Sequence, residues 1–121
     1  MPYFVKTEII KTHYLSEIDF KSKIIKEHKR WVKNLIDQGL YIKSGFLVDK
    51  DQVPGAGGFL IIECESFEDA EKIIKDDPMI KNHMVNWQLN EWINIVQYKN
   101  KIILDIVSLI SEYPQHGSYF E

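Results

Sequence analysis

Residues 24–48, IIKEHKRWVKNLIDQGLYIKSGFLV, hold the change of period that decides the fold. Ile24, Ile25, His28, Trp31, Val32, Leu35 and Ile36 recur at steps of three and four, the spacing of one face of a helix. The pattern predicts a helix from about Glu17, capped by Ser16, to about Gln38. Gly39 then stands where helices commonly stop. A strand is expected at once, from about Leu40 to Val48. A long helix running straight into a strand is one half of a βαβ arrangement.

Working outward, residues Tyr3 to Ile10 are rich in β-formers and alternate. Val5, Thr7 and Ile9 share one face, and Phe4, Lys6 and Glu8 share the other. Downstream, Asp49 to Gly58 holds aspartates, a glutamine, a proline and glycines, and reads as a turn-rich connection. Phe59 to Glu65 reads as a buried strand. Ser66-Phe67-Glu68-Asp69 resembles a capping box and starts a second helix that buries Phe67, Ala70, Ile73 and Ile74. Pro78 pushes Asp77 out of the α region, so this helix is expected to end at Asp77. A last strand is predicted from about Met84 to Gln97, with Val85, Trp87 and Leu89 alternating with Asn86, Gln88 and Asn90.

The order is βαββαβ, the ferredoxin-like α+β plan: a four-stranded antiparallel sheet with two helices on one face. The other face is left open and calls for a partner, so a homodimer is expected. Residues 1–98 form this domain, and 99–121 an extension with an amphipathic helix at Lys101 to Ser111. That helix is either an extra packing element or a lid or swapped arm.

The chain has 121 residues, a usual length for one domain, and its 45% hydrophobic content is enough for a core. The net charge of −3 offers no basic excess for a phosphate backbone, so nucleic acid is not expected as a partner. No run approaches the ~20 apolar residues of a membrane span, and Lys6 and Glu8 interrupt any signal-peptide core. The lone Cys64 fits a reducing compartment and reads as a small core residue, so a cytoplasmic protein is expected.

Several strings in order resemble the YCII-related family. They are Glu27 to Trp31 with Leu35 and Gly39, Ser44-Gly45, Gly57-Gly58, Glu65 to Ala70, Asp76-Asp77-Pro78, and a final strand with Trp87 and Trp92. The resemblance covers roughly residues 3–96. It implies a ferredoxin-like fold, a homodimer with sheets face to face, and a His-Asp pair in a pocket. One branch of the family resembles dehydrochlorinases of chlorinated hydroquinones.

His28 and Asp77 each interrupt an otherwise apolar helical face. A buried imidazole needs a hydrogen-bond partner, which a backbone carbonyl could also supply. Asp77 continues the face of Ile73 and Ile74 and is expected at a helix C-terminus, where the macrodipole disfavours a carboxylate unless a donor or cation is near. A solvated carboxylate at a frayed end is the alternative. Pairing the two resolves both anomalies and makes a general-base dyad. Ser44, Trp31 and Trp92 are the candidate substrate contacts, Ser44 being equally explicable as a packed strand residue. Asn86, Gln88, Asn90 and Asn94, together with Trp92, either meet a partner or line a polar cavity. No spacing suggests a metal, nucleophile elbow or phosphate loop, so no cofactor is expected. Two functions remain: a small cofactor-independent acid–base enzyme of lyase or isomerase type on a small, cyclic or aromatic metabolite, or a non-catalytic dimeric ligand-binding or regulatory module.

Overall fold

A computed structural model describes residues 1–96. The expected helix at Lys101 to Ser111 and the 99–121 extension lie outside the described residues. Strand β1 (Tyr3–Ile10) leads through a 3-10 turn (Thr12–Tyr14) to helix α1 (Ile18–Asp37). Strands β2 (Ile42–Val48) and β3 (Pro54–Glu63) follow, then α2 (Phe67–Ile74), the single turn α3 (Pro78–Lys81) and β4 (Val85–Trp92). The sheet order is β2-β3-β1-β4, with every neighbouring pair antiparallel. The α+β architecture and the element order are those expected, with the second helix broken in two.

Strand parity separates two unlike faces. Phe4, Ile42, Leu60, Ile62 and Leu89 pack beneath the helices with Ala70 and Ile74, joined by Trp31, Val32 and Leu35. Ile24, Met79, Met84 and Val85 close the end where α1 meets α3. The remaining positions of the strands form the uncovered face. Thr7 lies between Phe59 and Gln88, Val5 between Ile61 and Asn90, and Tyr3 between Glu63 and Trp92.

Several boundaries differ from the sequence expectation. Helix α1 is preceded by Glu17, and no side chain caps it, so Ser16 does not take that role. Ile36 is half exposed, so the apolar stripe of α1 is not covered along its whole length. The Gly55 to Gly58 segment belongs to β3 rather than to the turn, which is confined to Asp49–Val53. The Asp49 carboxylate accepts the amides of Asp51 and Val53, closing the turn early. The glycines allow a close crossing instead: a Cβ on Gly57, at φ +96°, would lie 2.3 Å from the Glu8 carbonyl oxygen. Strand β4 ends at Trp92, short of the expected Gln97.

The second helix begins as expected, with Ser66 Oγ accepting the Asp69 amide at 3.1 Å. It ends at Ile74, three residues early, and Asp77 is not its C-terminus. Pro78 does expel Asp77 from the α region, to ψ 124°. Proline also suits the first position of a helix, so the chain restarts there as α3. Asp77 is the N-cap of that turn and accepts the Met79 amide at 2.9 Å. The expected conflict with a helix dipole therefore does not arise.

Candidate acid–base site

The site is assembled from four elements that the sheet brings together. His28 projects from the middle of α1, where its apolar stripe faces the sheet. Asp77 caps α3, beside α1. Ser44 stands on β2, an edge strand, and faces the helices because it shares parity with the buried Ile42. Lys6 stands on central β1 with the parity of Phe4, and so points into the same layer.

His28 Nδ1 lies 2.9 Å from Asp77 Oδ1, and His28 Nε2 lies 2.8 Å from Ser44 Oγ. Asp77 Oδ2 accepts from Lys6 Nζ at 2.6 Å. Lys6 Nζ also pairs with Glu8 Oε1 at 3.0 Å. Lys6 and Asp77 are completely buried, and His28 and Glu8 nearly so. Burial by itself would push the Asp77 carboxyl up. Hydrogen bonds from His28 and Lys6 and their charges outweigh it, holding Asp77 below the usual carboxylate range.

An ionised Asp77 can only accept, so Nδ1 carries the ring proton. In the neutral ring the free lone pair is then on Nε2, where the Ser44 hydroxyl donates to it. That nitrogen is on the side of the exposed Ser44 and half-buried Trp31, whose ring centre is 5.7 Å from that of His28. The site therefore meets solvent along the β2 edge. Two surface hollows, one along Ser16 to Phe20 and one between Lys11 and Trp87, lie elsewhere.

Of the sequence candidates, His28, Asp77, Ser44 and Trp31 come together. Trp92 does not: its parity places it on the uncovered face, beside Tyr3 with ring centres 6.4 Å apart. An even-numbered position on β4 looks away from the helices, so Trp92 cannot reach a site between helix and sheet in the same chain. Cys64 is a core residue, and burial pushes its thiol up. Among the described residues no three His, Cys, Asp or Glu side chains gather as a metal would require.

Sequence reasoning missed Lys6 and Glu8 as parts of the site. Their signal was available: two charged residues at the parity of an aromatic in a β-rich strand. Glu8 further explains Gly58, since a Cβ there would sit 2.8 Å from Glu8 Oε1.

Residues 1–93 match the model of the YCII-related domain. The chain belongs to the YCII-related family. No curated protein matches it. Among solved structures, this YCII-related protein is similar to 5-chloro-2-hydroxyhydroquinone dehydrochlorinase from Burkholderia phenoliruptrix AC1100, in complex with 2,5-dihydroxybenzoquinone. Identity is 18%, coverage 76% of this chain and 94% of that one, and the TM-score 0.60. It is also similar to a dimeric ferredoxin-like protein from an uncultured marine organism, at 14% identity, 81% and 100% coverage and TM-score 0.46. The ferredoxin-like architecture is common to the dehydrochlorinase and this chain. No helix among the described residues is long and apolar enough to cross a membrane.

Proposed function

We propose that this YCII-related protein is a cofactor-independent acid–base enzyme, of lyase or isomerase type, in which His28 is the base. The observation that carries this reading is the ordered chain from Ser44 Oγ to His28 Nε2 and from His28 Nδ1 to Asp77. It fixes the ring tautomer and leaves the one basic lone pair at the solvent edge. A substrate hydroxyl or activated C–H placed near Ser44 would take over the Ser44 hydrogen bond and give its proton to Nε2. Asp77, held by Lys6 and the Met79 amide, would stabilise the resulting imidazolium. In an elimination, the electron pair left by the proton expels a leaving group such as chloride. In an isomerisation, the proton is returned at another carbon.

The substrate class is a small hydroxylated cyclic or aromatic compound, a reading supported by the dehydrochlorinase neighbour and by Trp31 beside the ring. A homodimer through the uncovered sheet face is part of the proposal. Turnover of chlorinated hydroquinones and small lactones, followed by chloride release and absorbance, tests it. His28→Asn is expected to remain folded and lose turnover by at least about 100-fold, the contribution of a general base. Binding of such compounds with no turnover by the unaltered protein would instead establish the ligand-binding module. Loss of turnover in Ser44→Ala, together with a covalent adduct trapped on Ser44 of the unaltered protein, would replace base catalysis by nucleophilic catalysis.

A further inference from the structure

The dyad does not account for the charges behind it. Lys6 is completely buried, and its ammonium bridges two carboxylates, Asp77 Oδ2 at 2.6 Å and Glu8 Oε1 at 3.0 Å. Glu8 Oε2 is buried with no partner among the described residues. Isolated buried ions are costly. Nothing in the dyad alone requires Glu8, yet Gly58 gives up its side chain to make room for it.

We propose that Lys6 and Glu8 are positioning residues that act as opposed electrostatic settings on His28, Lys6 lowering and Glu8 raising its readiness to take a proton. The inference concerns the same site as the proposed acid–base function. Its test does not depend on knowing a substrate, so the two can fail separately.

His28 touches Asp77 from α3 and the uncharged Ser44 from β2; Lys6 from β1 reaches it through Asp77, and Glu8 through Lys6. On α1 itself, Glu27 and Lys29 flank His28 in sequence, and Lys29 is exposed. On β2, Lys43 has the parity of the uncovered face. With Asp77 and Glu8 ionised and Lys6 protonated, the buried charge behind the ring is one negative unit. A protonated His28 makes the cluster neutral. Removing Glu8's charge leaves zero behind the ring, and removing that of Lys6 leaves two negative units. In a buried setting such changes are weakly screened. Lys6 also holds Oδ2, so that Oδ1 remains aimed at Nδ1.

The test is to follow the His28 ring resonances by NMR against pH in the unaltered chain, Glu8→Gln and Lys6→Met. Glu8→Gln keeps shape and hydrogen-bonding capacity, and is expected to lower the imidazolium-to-imidazole ratio at a given pH about tenfold. Lys6→Met is expected to raise it by a similar factor, and Lys6→Arg to keep it near the original. A fall of less than about threefold in Glu8→Gln overturns the proposal, as does a shift of the same sign in Glu8→Gln and Lys6→Met. If Lys6→Met does not fold, Glu8→Gln decides alone. A merely structural pair would lower the melting temperature in both variants and leave the His28 titration in place.

Discussion

Along strand β1 the two faces of the sheet invert the usual distribution of polarity. Beneath the helices, β1 presents Phe4, Lys6 and Glu8, all buried. On the uncovered side the same strand presents Val5, Thr7 and Ile9, continued by Phe59 and Ile61 on β3 and Trp92 on β4. Trp92 is 49% exposed and Ile9 62% exposed. A monomer that buries charge and exposes an aromatic and β-branched face is organised for two different purposes. In the proposed function the charges serve the site under the helices, and the uncovered face meets a second copy of the chain.

The largest expected effect comes from breaking the covered side. Lys6→Met removes the one cation between two buried carboxylates and should cost about 3–5 kcal/mol, read from urea unfolding. A loss below about 1 kcal/mol would mean that the carboxylates are already hydrated or protonated, and the contrast between faces would lose its charged half.

Gly58→Ala comes next. The new Cβ would displace the Glu8 side chain from its place over β3. About 1–3 kcal/mol of destabilisation is expected from overpacking, and Glu8→Ala in the same chain should relieve part of it. Additive losses in that double variant would show that Gly58 is not there for Glu8.

A third effect is a pH dependence. Asp77 titrates below the usual carboxylate range in the folded chain, so its unfolded-state value is the higher one. It therefore contributes stability that is fully present above about pH 4, and this is lost as pH falls through the lower folded-state value. Unfolding followed from pH 6 downward should show the loss, and Asp77→Asn should flatten that part of the profile. An unchanged slope in Asp77→Asn would assign the acid sensitivity to other carboxylates.

The smallest effect on the fold itself should come from the uncovered face. Ile61→Glu places a charge between Val5 and Lys43. It should alter the stability of a monomer by no more than about 1 kcal/mol, since the site is a partly exposed surface. Sedimentation should nonetheless show dimer turning to monomer. An unaltered chain that sediments as a monomer at micromolar concentration would remove the second half of the comparison.

Much of the site was legible because it broke a pattern. His28 and Asp77 each stood in an apolar helical row, and a polar residue there must find a partner. The 2.9 Å contact between them is made from the N-cap of α3, not from the row of Ile73 and Ile74. Lys6 and Glu8 also broke a pattern, but strand alternation offers two faces and does not say which one is covered. The face with Val5, Thr7 and Ile9 has the composition of a core, and the other does not. Trp92 was assigned to the site by residue type, although its parity with Asn86, Gln88 and Asn90 already set it on the opposite side.

The sequence by itself determined the order of elements, the helical faces, the four strands and the pair of residues that needed each other. These are consequences of local period and of the cost of leaving a polar group unsatisfied, and both are written in neighbouring residues. Tertiary structure decided which sheet face the helices cover, and so that Lys6 is a buried cation rather than a surface one. It decided that Asp77 opens α3 instead of closing α2, because Pro78 both ends one helix and suits the first position of the next. It also decided that Ser44, sixteen residues from His28, would face its Nε2 atom. Contacts of this kind join separate elements, and their geometry is set by sheet order and helix placement, which no short stretch of chain contains.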